Sequence, residues 1–208
     1  MATETPRAQS RKRVHKHKTG KEFIVVAGPN GAGKTTFVNN YLSDQRHLYL
    51  SADDIAVRLS PQKPALARLA AGREFSQRLR ETLQAGESVL IESTLSERTT
   101  GKFLKQARRN GYLIIMVFIH LESPGLCVKR VRERVLRGGH DVHESDIRRR
   151  FSRSKGNFWG FYRFQADEWH IFYNVSEEFE IVASGKGSSC LVLKSKIFGQ
   201  FLKDVEER

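Results

Sequence analysis

Gly28-Pro29-Asn30-Gly31-Ala32-Gly33-Lys34-Thr35 is a complete G-x-x-x-x-G-K-[ST] phosphate loop, and it follows the apolar run Phe23-Ile24-Val25-Val26-Ala27. The run reads as a strand buried on both faces. The glycines let the backbone take positive φ and turn N–H groups inward, so loop and following helix make an anion nest. Lys34 brings a point charge to the β and γ phosphates of a nucleoside triphosphate, ATP or GTP. Thr35, opening a helix expected over Thr35 to Leu42, offers its hydroxyl to Mg²⁺. Residues 28–36, through Thr36, form the nucleotide-binding segment.

Working outward, the same logic repeats. Strands are expected at Leu48 to Ser51, Val89 to Glu92, Leu113 to His120 and Trp169 to Tyr173. Between them lie a helix from about Asp54, a break at Pro61 to Pro64 and a long helix Ala65 to Ala85. A further helix, N-capped by Ser96, ends at Asn110-Gly111. Another runs from Ser123 to Gly138-Gly139, a basic one spans Glu144 to Asn157, and the tail from Glu178 suggests a hairpin and a closing helix. Strand alternating with helix means an α/β fold: a P-loop NTPase of nucleotide-kinase type, with a parallel sheet flanked by helices and a helical lid.

The length of 208 residues suits one domain, over 22–208, behind a basic arm, 1–21. The net charge of +13 is unevenly placed: residues 1–21 hold seven Lys/Arg against Glu4 alone, and residues 129–156 hold ten against four acids. The arm has almost no apolar residues and reads as disordered, serving solubility or touching nucleic acid. Two cysteines, Cys127 and Cys190, are too few for a disulfide framework and fit a reducing cytoplasm. No segment reads as a signal peptide or a membrane span, so no membrane partner is expected.

In a parallel sheet, ligands gather at the carboxyl ends of the strands, which here carry the phosphate loop, Ser51-Ala52-Asp53-Asp54, Glu92-Ser93-Thr94 and His120-Leu121-Glu122. Phosphoryl transfer needs a carboxylate to take the acceptor's proton. Asp53 suits that task and Asp54 suits the N-cap, although either acid alone could serve only as a cap. Glu92 ends an apolar strand, where a charge calls for a partner; with Thr94 it could bind acceptor hydroxyls, or it could bond backbone N–H groups. Arg130 and Arg134 share a helix face, and the Arg148-Arg149-Arg150 run follows a Gly-Gly hinge, as in a lid that closes cations over a triphosphate. His140 and His143 fit such a lid loop better than zinc.

The loop string GPNGAGKTT also occurs in ABC-transporter ATPases, but no LSGGQ-like signature follows. Instead the chain carries Ser51-Ala52-Asp53-Asp54-Ile55-Ala56, Ala71-Gly72-Arg73, Glu92-Ser93-Thr94-Leu95-Ser96, Arg130-Val131-x-x-Arg134-Val135-x-x-Gly138-Gly139-His140-x-Val142, Ile147-x-Arg149-Arg150-Phe151 and Ala166-Asp167-Glu168-Trp169. In that order and spacing the chain, over about 22–205, resembles the zeta toxin family, in particular its compact single-domain branch.

The resemblance implies a P-loop kinase that phosphorylates an alcohol group using ATP or GTP. UDP-N-acetylglucosamine, modified on the sugar 3′ hydroxyl, is the acceptor of the best-known members, and an antitoxin protein is implied as a partner. Carried over by motif, Lys34 and Thr35 bind phosphate and Mg²⁺, Asp53 is the general base, and Glu92 with Thr94 contacts the acceptor. Arg134 and the Arg149-Arg150 pair match phosphate-clamping arginines, and residues around Asn174 border the base. Ser51 and Ser93 stand where many relatives have Asn and Thr, which bears on acceptor identity. A polynucleotide kinase, or a nucleotide-binding regulatory module without transfer, are the rival readings.

Overall fold

The run Phe23 to Ala27 divides its side chains between two cores: Phe23, Val25 and Ala27 enter one, Ile24 and Val26 the other. Such a strand must have layers on both sides. The structure, a computed structural model, describes residues 20–42, 46–139, 141–176 and 178–206. Residues 1–19 of the expected arm and His140 lie outside the described residues.

Five strands run parallel: β1 (Glu22–Ala27), β2 (Leu48–Leu50), β3 (Val89–Ser93), β4 (Leu113–His120) and β5 (Glu168–Val175). The hairpin of β6 (Glu178–Lys186) and β7 (Ser189–Val192) then adds to β5 antiparallel, giving a seven-stranded mixed sheet in the order β2-β3-β1-β4-β5-β6-β7. β1 is thus central, with the register Val26 beside Glu92 on one flank and Val117 on the other.

Helices α1 (Lys34–Phe37), α2 (Ala52–Leu59), α3 (Arg68–Ala85), α4 (Thr100–Arg109), α5 (Pro124–Leu136), α6 (Glu144–Gly160) and α7 (Ser195–Glu206) surround the sheet, α2 packing through Ile55 and Ala56 on Ala71 of α3. Leu79, Leu83, Leu104, Ala107, Phe198 and Phe201 from α3, α4 and α7 close the first core. Phe37 of α1 and Cys127, Val128 and Val131 of α5 close the second. Each fully buried large apolar side chain contributes about 1.5–3 kcal/mol. Helix α6 serves both cores, with Ile147 and Phe151 in the second and Phe158 in the first.

A buried ion pair fixes that helix. Lys155, fully buried, donates to Asp204 on α7 and to the Leu121 carbonyl at 3.0 Å, with its ammonium 3.6 Å from the Phe151 ring centroid. Burial lowers its pKa to about 8, against the pull of Asp204. Among the described residues no helix is long and apolar enough to cross a membrane.

The structure corrects several local expectations. The helix after the loop is α-helical only over α1 and continues as a π turn, Val38–Leu42, which carries Val38, Tyr41 and Leu42 inward. The stretch from Pro64 winds first as a 3-10 turn, Pro64–Ala67, where proline supplies the fixed φ of a first turn. Ser96 does not cap α4; the cap position is Thr99, and the Ser96 hydroxyl instead pairs with Thr94 Oγ1 at 2.9 Å. Asp54 does not cap α2 either. Ser51 does, its hydroxyl accepting from the Asp54 N–H at 3.2 Å, and both acids lie in the first turn, where they favour the helix dipole.

Candidate functional site

At the loop, φ is +144° at Gly28, +77° at Gly31 and +90° at Gly33, a region L side chains rarely adopt. A Cβ at Gly28 would lie 2.5 Å from the Ile119 carbonyl oxygen, and one at Gly31 would lie 2.7 Å from that of Cys127. A Cβ at Gly33 would strike the Asn174 amide, which holds the Ala32 carbonyl at 2.8 Å. The loop is therefore packed from behind by β4, α5 and β5. Ala32 is fully buried, and the carbonyls of Gly28 and Pro29 each accept from Lys34 Nζ at 3.0 Å.

In front of the loop lies a cleft of about 1090 Å³, lined by Asn30, Gly31, Gly33, Lys34, Thr35 and Thr36. Its volume exceeds what one small ligand occupies, leaving room for donor and acceptor side by side. Asp53 and Asp54 from α2, Glu92 near the end of β3, Thr94 and Ser96 after it, and Arg68 from α3 line one wall. Lys129, Arg130 and Arg134 of α5, Arg137 at its C-cap, Arg150 of α6 and Asn174 of β5 line the other.

Charges of both signs meet there. Burial lowers the Lys34 pKa, opposed by Glu92 and Asp53 and reinforced by Arg134. Burial likewise lowers that of Arg134, opposed by Asp53, Asp141 and Glu92. Asp53 is thus within electrostatic reach of both cations while remaining solvent-exposed. Glu92 accepts from Thr35 Oγ1 at 3.1 Å and from the Tyr49 hydroxyl at 2.6 Å. Burial and then Glu92 push the Tyr49 hydroxyl well above the usual tyrosine range, so it remains a donor. Thr35, Glu92 and Asp53 offer the hard oxygen donors that Mg²⁺ takes, which fits the cation expected beside the nucleotide.

Two arginines of the run share an acid, Asp146 lying 2.6 Å from Arg149 and 3.7 Å from Arg150, but only Arg150 also reaches the loop. Arg150 donates to Asn30 Oδ1 at 3.3 Å and faces the cleft. Arg149 pairs with Asp146 at 2.6 Å, is half exposed and does not line the cleft. At the expected Gly138-Gly139 break α5 does end, with Gly138 left-handed and the Gly139 N–H bonded to the Arg134 carbonyl at 2.9 Å. His143 caps α6, its ring bonded to the Ser145 hydroxyl at 2.8 Å.

Beyond Glu92 the loop that follows β3 is tightly held. Leu95 has φ +50° although its side chain is buried; its N–H donates to Ser93 Oγ at 3.1 Å and its carbonyl accepts from Asn157 Nδ2 at 2.7 Å. A strained conformation so fixed is typical of functional loops. Tyr49, Arg68 and Asn157 escape a sequence reading. Tyr49 sits in a Leu-Tyr-Leu strand where it looks like packing, Arg68 in a polar helix, and Asn157 at the expected end of one.

A family model described as an AAA domain matches residues 23–154, well over half the chain. The chain belongs to the AAA-domain family. A protein of Haemophilus influenzae is 29% identical to this AAA-domain chain over 128 residues, 62% of this chain and 91% of that protein. Among solved structures, a chain of the AvrRxo1-ORF1:-ORF2 complex with ATP matches with a TM-score of 0.67 at 14% identity, covering 94% of this chain and 68% of that one. A chain of the PezAT toxin–antitoxin system of Streptococcus pneumoniae matches with a TM-score of 0.60 at 13% identity, covering 100% and 98%. At these identities the likeness is one of fold. The AAA-domain protein has the zeta-toxin-like P-loop kinase fold that its separated motifs lead one to expect.

Proposed function

We propose that this protein is a phosphotransferase of zeta-toxin type, moving the γ-phosphoryl group of ATP or GTP to a hydroxyl of a nucleotide sugar, such as UDP-N-acetylglucosamine, or a related metabolite. The observation that supports it is the convergence of Lys34, Asp53, Arg134 and Arg150 on one cleft beside the glycine loop. The loop N–H groups and Lys34 hold the β and γ phosphates, and Thr36 flanks them. Mg²⁺ bound beside Thr35 would neutralise phosphate charge.

Asp53 accepts the proton of the acceptor hydroxyl as the acceptor oxygen bonds to γ-phosphorus and the bond to the bridging oxygen breaks, releasing ADP or GDP. Arg134 and Arg150 stabilise charge on the transferring group, while Arg149, turned to Asp146, takes no direct part. Thr94, Ser96 and the loop pinned at Leu95 receive the acceptor, and residues near Asn174 border the base. Relatives of this fold come from two-protein complexes, one of them named a toxin–antitoxin system, which supports an inhibitory protein partner in the cytoplasm.

The test is incubation of the full chain with γ-labelled ATP or GTP and a panel of nucleotide sugars, followed by mass analysis. A product heavier by one phosphoryl group is expected. Nucleotide binding without a labelled metabolite would favour a regulatory module, and label on RNA or DNA ends would favour a polynucleotide kinase.

A further inference from the structure

Both oxygens of Glu92 are engaged, each by a hydroxyl from a different element: Oε1 by Tyr49 of β2 at 2.6 Å, Oε2 by Thr35 of α1 at 3.1 Å. Val26 of β1, two residues before the loop, pairs in register with Glu92, so this carboxylate stands next to the phosphate cradle. The Tyr49 ring packs against the second core, and a phenylalanine would fill that space equally well. Its hydroxyl is therefore the one part of the side chain that packing does not require. A neutral donor 2.6 Å from a carboxylate oxygen makes a strong, orienting bond.

We propose that Tyr49 is a positioning residue: it holds the Glu92 carboxylate so that its second oxygen faces Thr35 Oγ1, and the two oxygens together serve the divalent cation that accompanies the nucleotide, rather than the acceptor. The inference rests on the phosphotransferase reading above and deepens it by reassigning Glu92 from the acceptor side to the metal side of the cleft. The bond to Tyr49 restrains a side chain that otherwise has several rotamers and a competing cation in Lys34, whose charge Glu92 already influences. Outer partners that orient metal-side carboxylates in this way typically change metal affinity tenfold or more when removed.

The test is a Mg²⁺ titration of the binding of a fluorescent ATP analogue to the full chain, comparing wild type, Tyr49→Phe and Glu92→Gln, with thermal melts alongside. Tyr49→Phe is expected to raise the Mg²⁺ concentration for half-maximal effect by roughly tenfold, with unchanged metal-free affinity and melting temperature. Glu92→Gln should show the same loss or a larger one, and the double variant should add little to Glu92→Gln. Wild-type Mg²⁺ dependence in either single variant overturns the assignment. So does a Tyr49→Phe protein whose metal-free affinity falls in step, because the hydroxyl would then be a general structural contact. Failure of the wild type to bind the analogue with or without Mg²⁺ would instead remove the kinase reading, and this assignment with it.

Discussion

Arg150 Nη1 donates to Asn30 Oδ1 at 3.3 Å, joining α6 to the phosphate loop across 120 residues of sequence, while its neighbour Arg149 pairs with Asp146 at 2.6 Å. Adjacent residues on a helix leave the axis about 100° apart, and here Arg150 is the one whose guanidinium reaches the loop, although Asp146 also lies 3.7 Å from it. Arg150→Ala is expected to lower kcat/KM by about 100-fold or more, as loss of a charge-stabilising group does. Arg149→Ala should stay within about threefold, since an exposed ion pair contributes little. Initial rates of ADP release for the two variants check this; equal losses would contradict it.

Gly33 takes φ +90° with the Asn174 amide where a Cβ would go. Gly33→Ala is therefore strained in backbone and contact alike, and should cost about 1–3 kcal/mol of stability and abolish nucleotide binding. Denaturant titration together with calorimetric binding of ATP reads both effects.

Lys155 is wholly buried, and Asp204 is its one acidic partner among the bonds and ion pairs described. Asp204→Ala leaves a buried ammonium without its counter-ion, for an expected loss of about 3–5 kcal/mol in urea unfolding. Lys155→Met with Asp204→Leu should recover much of that loss, because an apolar pair needs no desolvation of charge.

His120 ends β4 fully buried, with neither ring nitrogen bonded among the described residues. Burial, and then the charge of Lys155, lower its pKa to about 2. Because the folded-state value lies below the unfolded value of about 6.5, the unfolded chain binds the extra proton between these limits. This group's contribution to stability is therefore present above about pH 6.5 and is lost as pH falls toward 2, by at most about 1.4 kcal/mol per unit. His120→Phe should show a shallower fall in stability between pH 6 and 4 than wild type. Identical slopes would contradict the assignment.

Strong local chemistry made much of this molecule readable from its residues. The glycine loop needs positive φ at fixed positions, and continuous apolar strands announce layers on both faces, so the parallel core followed directly, and the ends of β1, β2 and β3 do line the cleft, whereas the expected fourth end, His120-Leu121-Glu122, does not. Helical phase is harder to read. Nothing local says which of Arg149 and Arg150 faces the loop, because the answer depends on how α6 is clamped by Lys155 and Asp204, a contact 49 residues apart. Caps were ambiguous for a related reason: Ser51, Asp53 and Asp54 are all good N-cap residues, and the end of β2 at Leu50 decides that Ser51 takes the position. Tyr49 was hidden by its strand, since only the tertiary approach of Glu92 gives its hydroxyl a task.

From its place in one cleft with Lys34 and Arg134, Asp53 is proposed to take the proton of an acceptor hydroxyl. The most direct measurement compares Asp53→Asn with wild type in two assays on the same preparation: Mg²⁺-ATP binding by calorimetry, and transfer of label from γ-labelled ATP to a metabolite pool. Binding within about threefold of wild type and transfer reduced by about 100-fold or more are expected. Undiminished transfer by the Asp53→Asn protein would contradict this role.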